Sequence, residues 1–328
     1  MPTAAPLVRV IRSGLEESVH AGHVAVCDEE GRLLGGIGDP HHPLFARSSM
    51  KPLQAAVSLG RMGDEVPAQD LVAVMCASHN GEPVHVRTVQ ALLKAGGIAE
   101  NRLGCPADLP MRTEDRKQAE RRRPIYHNCS GKHAGMLVAS HWADLELASY
   151  LQPTHPLQRE ITRAVERATG IDRPALGVDG CGVPVHGLPL SGLATLFARL
   201  VRPEHLGPLA ETAEIAVSAM RAQPYLVAGR DRSDTAIMSE VPDVVCKVGA
   251  EALHCAGIAS SGIGVAVKIA DGGDRAAAPA LLRSLELLGA ISAEQLQHLG
   301  TLARPPVLGG GRPVGEMEAD FRLRRVRT

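Results

Sequence analysis

The chain has 328 residues, enough for about two domains or one large one, and its 35 basic and 36 acidic side chains leave a formal net charge of −1. That balance supplies no field for recruiting nucleic acid or an anionic membrane, and three Phe, three Tyr and one Trp are too few for a base-stacking platform. Hydrophobic residues make up 45% of the chain, so a buried core built from Ala, Val and Leu is expected and disorder is not.

In chain order, residues 8–11 and 23–27 read as strands, and Glu29 to Gly31 gives a hairpin signal. Helical patterning follows over 48–59 and over 84–95, the second ending at Gly96-Gly97. The middle is helix-rich, with helices expected over 131–141, 157–169, 193–200 and 209–222. Three short strands with glycine-rich connections are expected over 244–248, 253–259 and 264–270, then helices over 275–288 and 293–302. Strands at both ends around a helical middle predict an α+β fold, an antiparallel sheet flanked by helices plus a helical region. The expected division is 1–60 with 240–328 for the sheet and 61–239 for the helical part.

The longest uncharged stretch, residues 180–198, holds four glycines and two prolines and is a poor membrane span. Residues 1–12 carry two arginines and no apolar run long enough for a secretory signal. Seven irregularly spaced cysteines do not read as a disulfide framework, so a reducing cytoplasm is the expected home.

The most informative segment is Phe45-Ala46-Arg47-Ser48-Ser49-Met50-Lys51-Pro52. Ser48 and Lys51 are three apart and become neighbours on a helix. Pro52 is tolerated only in a first turn, which puts Ser48 at a helix start, where the dipole favours developing negative charge. A serine needs a base to become a nucleophile, and a neutral lysine can serve; Arg47 is a candidate cationic neighbour. The ordinary alternative is that Ser48 is a helix cap. Ser78-His79-Asn80 follows thirty residues on, as Ser-x-Asn follows Ser-x-x-Lys in penicillin-recognising enzymes. A strand carrying Lys268 comes later, but without their Lys-Thr-Gly. Two polar islands, His127-Asn128-Cys129-Ser130-Gly131-Lys132-His133 and Asp179-Gly180-Cys181-Gly182, hold enough nitrogen and sulfur for a zinc site, although buried free thiols would explain the cysteines equally well.

Taken jointly, Glu17-Ser18-Val19-His20-x-Gly22, Arg47-Ser48-Ser49-x-Lys51-Pro52, Cys76-Ala77-Ser78-His79-x-Gly81-Glu82, His127 to Met136 and Asp179 to Pro184 resemble the rhizobial-type, asparaginase II-like L-asparaginases. Asp234-Thr235-x-x-Met238, Lys247-x-Gly249-Ala250-Glu251 and Lys268-x-x-Asp271-Gly272 extend the resemblance, which spans about residues 8 to 272. It implies a fold similar to serine β-lactamases and glutaminases, a homodimer, and hydrolysis of L-asparagine to aspartate and ammonia. It further implies two Ser–Lys pairs, Ser48 with Lys51 and Ser78 with Lys268. One zinc ion per chain is implied on Cys129, Lys132 and Cys181. Arg47, His79, Asn80, Asp179 and Glu251 become the candidate substrate-binding residues. Ala252 departs from the glycine expected after Glu251. Two rival readings are a penicillin-recognising acyl transferase and a non-catalytic protein that captures a ligand through zinc. Nucleic-acid and membrane partners are not expected.

Overall fold

Strand-forming runs from the two ends of the chain pair with one another, and the helix-forming middle makes its own core. The computed structural model describes residues 3–63 and 65–326. β1 (Ala5–Arg12), β2 (Leu15–Cys27), β3 (Leu33–Ile37) and β4 (Pro43–Phe45) open the chain. α1 (Lys51–Met62), α2 (Gln69–Met75), α3 (Pro83–Ala95), α4 (Thr113–Arg116), α5 (Ser130–Trp142) and α6 (Pro156–Thr169) follow, then the hairpin of β5 (Ala175–Val178) and β6 (Pro184–Pro189). After α7 (Leu190–Leu200), α8 (Ala210–Ala222), α9 (Pro224–Val227) and α10 (Ser233–Glu240) come β7 (Val244–Gly249), β8 (Leu253–Ile258) and β9 (Ile263–Ile269). The chain closes with α11 (Ala277–Leu287), α12 (Ala293–His298), α13 (Gly300–Ala303), β10 (Pro306–Gly309), β11 (Arg312–Ala319) and β12 (Arg324–Arg325).

The chain divides into two units. The sheet unit comprises Met1–Ser49, Leu188–His205 and Ala236–Thr328, and the helical unit comprises Met50–Gly187 and Leu206–Thr235. The sheet unit is built on a nine-stranded sheet running β10-β11-β1-β2-β9-β8-β7, with β3 also against β2 and β12 against β3. Its pairs are antiparallel, and the register sets His23 opposite Lys268. All six residues of β8 are buried, as a strand covered on both faces requires. Gly264 of β9 admits α7 at close range: a Cβ there would stand 1.8 Å from the Ala194 carbonyl oxygen. This packing explains why residues 188–205 belong with the sheet and not, as the sequence division had it, with the helical part.

In the helical unit α1 is the central element, buried from Lys51 through Leu59 and packed on α5, α6 and α8. Pro52 lies in its first turn, and a 3₁₀ turn over Arg47–Met50 leads into it, as the Ser48 spacing predicts. The helices expected in the middle are present within a few residues of their expected ends. β10, β11 and β12 were not expected, nor was the outer half of β2. There residues 15–19 are solvent-exposed on both faces and carry no apolar alternation. Among the described residues no helix is long and apolar enough to cross a membrane.

Candidate active site

In the helical unit, the loop between α2 and α3 carries Cys76 to Glu82. It is held in place by backbone bonds, with Ser78 N–H donating to Val227 O at 2.8 Å and Asn80 N–H to Ala228 O at 2.9 Å. Gly81 turns the loop at φ 73°, and a Cβ there would stand 2.7 Å from Tyr126 O, so glycine is required twice over. Lys51, fully buried at the start of α1, reaches this loop. Its Nζ donates to Ala77 O at 2.5 Å and to Ser78 Oγ at 2.9 Å, and also to Asn128 O at 3.3 Å on the segment leading into α5. One buried amine therefore binds two of the sequence motifs to the helix that carries it.

The neighbours of Ser78 are fully engaged inside the protein. His79 accepts from Gly81 N–H at Nδ1 and lies 3.0 Å from Ser130 Oγ at Nε2, while the Ser130 hydroxyl donates to Ile125 O. Burial, followed by the charge of His85 and Lys51, holds His79 well below the usual imidazole range, so it is neutral. Asn80 donates to Glu82 Oε1 and Arg230 O and accepts from Arg232 NH1, with each bond 2.9–3.0 Å long. These two candidate substrate-binding residues thus brace the loop. Sequence reasoning missed the partner that locks it: the Tyr225 hydroxyl donates to Glu82 Oε2 at 2.5 Å, across 143 positions of chain. Burial would raise the Glu82 carboxyl, but the bonds from Tyr225, the Arg230 N–H and Asn80 outweigh it and hold the pKa low.

Cys129, Lys132 and Cys181 do meet. Cys129 immediately precedes α5 and Lys132 stands one turn on, while Cys181 comes from the tight turn that joins β5 to β6. Lys132 Nζ donates to Cys181 Sγ at 3.0 Å, and Asp179 Oδ2 is 3.7 Å from the same sulfur. Both thiols and the amine are more than nine-tenths buried. A hydrogen bond between the sulfurs holds the Cys129 thiol well below its usual range and pushes Cys181 up. Burial alone would depress Lys132, but the charges of Cys181, Cys129 and Asp179 together raise it. Two soft sulfurs and one amine converging in a buried pocket are a donor set that fits zinc. Beside them His133 lies 2.7 Å from the Tyr150 hydroxyl at Nδ1, and its buried Nε2 has no partner among the described residues.

The remaining candidates lie in the sheet unit. Arg47 stands at φ 48°, a strained conformation for a side chain of its size, immediately before the half-buried Ser48. Lys268 donates to Glu251 O at 2.5 Å and Ile269 O at 2.7 Å, and burial lowers its pKa. Glu251 and Ala252 are both left-handed, at φ 63° and 55°, which is the geometry that the glycine missing at 252 would have suited. The unit also joins two of the quoted motifs: His20 Nδ1–H donates to Asp271 Oδ2 at 2.7 Å, while its Nε2 accepts from Arg275.

The chain belongs to the L-asparaginase II family, whose model matches residues 8–319, and it is accordingly an amidohydrolase. No curated protein matches it in sequence. Among solved structures it is similar to a β-lactamase from Mycobacterium bovis at 16% identity and a TM-score of 0.41, over 82% of this chain and 95% of that one. It is also similar to Mglu in its native form, at 15% identity and a TM-score of 0.38, over 84% of this chain and 66% of that one. For Mglu in its tris and glutamate form the identity is 15% and the TM-score 0.37, over 88% of this chain and 63% of that one.

Proposed function

We propose that the protein is an L-asparaginase that hydrolyses the side-chain amide of L-asparagine to L-aspartate and ammonia through a serine acyl-enzyme. The observation that carries this reading is Lys51, an amine buried at a helix start with a serine hydroxyl 2.9 Å from its Nζ, in a chain of the L-asparaginase II family. In the neutral form it accepts the proton of the attacking hydroxyl. Ser48, which enters on its sequence spacing, attacks the amide carbon. The oxyanion develops at a helix N-terminus, where backbone N–H groups stabilise it. Ser78 relays the proton to departing ammonia, and water then cleaves the ester and resets the lysine. Lys268 supports Ser78 in the second Ser–Lys pair. Arg47 is assigned to the substrate carboxylate, and Asp179 and Glu251 to its ammonium. Zinc, one ion per chain, belongs to the same reading: Cys129, Lys132 and Cys181 would hold it, and it would supply positive charge that orients the polar end of the substrate. The seven cysteines are all buried and none is in a disulfide, which supports a reducing cytoplasm as the site of action, and a homodimer is the proposed assembly.

A coupled ammonia assay with asparagine and glutamine side by side tests the reading. Asparagine should release ammonia, and Ser48→Ala should cut kcat by about a thousandfold or more, as loss of a nucleophile does. Ammonia from neither amide would defeat the proposal. An active Ser48→Ala beside a dead Ser78→Ala would move the attack to Ser78.

A further inference from the structure

The sheet unit contains a cavity that amide hydrolysis does not use. Its floor is aliphatic, made by Val26 of β2, Leu34 of β3, Ile263 of β9, Leu287 of α11 and Leu323 of the C-terminal segment. Three arginines, Arg283, Arg322 and Arg325, line it. The cavity measures about 580 Å³, inside the range of roughly 300–1,000 Å³ usual for small-molecule sites.

The fold fixes this arrangement. β12 pairs with β3, setting Arg325 opposite Gly35, and Val326 N–H donates to Leu34 O at 3.1 Å. Gly35 admits the close approach, since a Cβ there would meet Arg324 O at 3.0 Å. Leu34, Ile263 and Leu323 are half-buried and Leu287 is exposed, so apolar surface is left facing the cavity. Among the described residues no acidic side chain lines it. Arg283 gives one nitrogen to Glu286, and its buried Nε has no partner among the described residues.

Guanidinium forks match a carboxylate in two-point geometry. Among the described residues no aromatic side chain lines the floor, and aliphatic walls suit a flexible alkyl chain. The carbonyl end of α11, beside Leu287, repels an anion. The head group is therefore placed on Arg322 and Arg325 and the tail towards α11. A second copy of the chain fits poorly, because a twofold contact would set arginines against arginines. We infer that this cavity binds a free medium- or long-chain alkyl carboxylate, with its chain on the aliphatic floor and its head on Arg322 and Arg325.

Calorimetric titration of the full chain with dodecanoate below its micelle concentration tests this. One dodecanoate per chain is expected. Octanoate should bind at least tenfold more weakly, since each buried methylene is worth about fourfold in affinity. Dodecanol should bind at least tenfold more weakly, and so should dodecanoate to the R322Q/R325Q double variant, whose unfolding midpoint should match that of the parent. The inference is overturned by an absence of saturable binding, and equally by dodecanol or the double variant matching dodecanoate and the parent. Co-sedimentation with phosphatidylglycerol vesicles without dodecanoate binding would assign the face to a membrane surface instead. Dissociation of a dimer by L287E in light scattering would assign it to a second copy of the chain. Either result overturns the proposal.

Discussion

Lys51 is the residue whose chemistry and architecture are hardest to separate, because its Nζ both faces Ser78 and ties the loop to the segment before α5. Lys51→Arg and Lys51→Met separate the two roles. Arginine keeps the donors but cannot give up its proton. If the amine works as a base, both variants should lose about a thousandfold or more in kcat. An arginine variant within about tenfold of the parent in kcat would leave Lys51 a positioning residue. A second prediction concerns the sulfur pair. Cys181 accepts from Lys132 and is hydrogen-bonded to Cys129, so Cys181→Ser should remove a proposed ligand together with the sulfur that holds the Cys129 thiol low. Zinc per chain should fall from about one to below about 0.1, and KM for asparagine should rise more than kcat falls. Because Cys181 and Lys132 both hold protons that an ion must displace, zinc affinity should climb as pH rises. A lower melting temperature with zinc content and KM unchanged would instead make the thiols packing groups.

Among the elements, α5 is the one whose placement is most exacting. Gly131 lies against α2 so closely that a Cβ would stand 2.1 Å from the Val74 carbonyl oxygen, and the next residue is Lys132. Gly131→Ala gains up to about 1 kcal/mol of helix propensity but forces two helix backbones apart, an overpacking cost of about 1–3 kcal/mol. The variant should be less stable in denaturant and should lose zinc as Lys132 shifts; an unchanged midpoint with full metal content would contradict this account. Glycine's role here was not legible in the sequence, where Ser-Gly-Lys reads as a polar island. The helices were legible because one-sided burial writes a 3.6-residue period, as in α6, where Leu157, Ile161, Ala164, Val165 and Ala168 are buried. β11 was not, because seven of its eight residues are half-buried or more exposed, leaving only Met317 buried and no alternation to read. At the site, the three-residue spacing suggested Ser48 with Lys51, and the family resemblance, not the spacing, suggested Cys129 with Lys132. Lys51 on Ser78, Cys181 on Lys132 and Tyr225 on Glu82 are meetings between distant segments, which no single segment encodes. Ala252 is the instructive middle case: a departure from the expected glycine, visible in sequence, falls on a left-handed backbone.

For the whole molecule, the buried imidazoles set the response to acid. His23, His79, His85, His133 and His186 are all held below the usual imidazole range, with burial the first cause in each. His186 is pushed to about 4, packed within the helical unit with Thr162 Oγ1 3.0 Å from its Nε2. An unfolded imidazole takes up a proton near pH 6.5 while the folded one resists until about 4, so the unfolded chain binds more protons throughout that window. The contribution of His186 is complete above pH 6.5 and is lost as pH falls towards 4, amounting to about 2 kcal/mol between pH 7 and pH 5. The other four push in the same direction. His298, raised by Glu240 on the surface, opposes them, but it is fully exposed and screened. The carboxylates of Glu82 and Asp271, held low, add their loss only at lower pH. Urea unfolding at pH 7 and pH 5 should therefore show a fall larger than the His186 share alone. In His186→Gln that fall should shrink by about 2 kcal/mol, whatever the variant costs at pH 7. Equal stability at the two pH values, or an unchanged fall in the variant, would mean that the imidazoles gain protons in the folded protein as readily as in the unfolded chain.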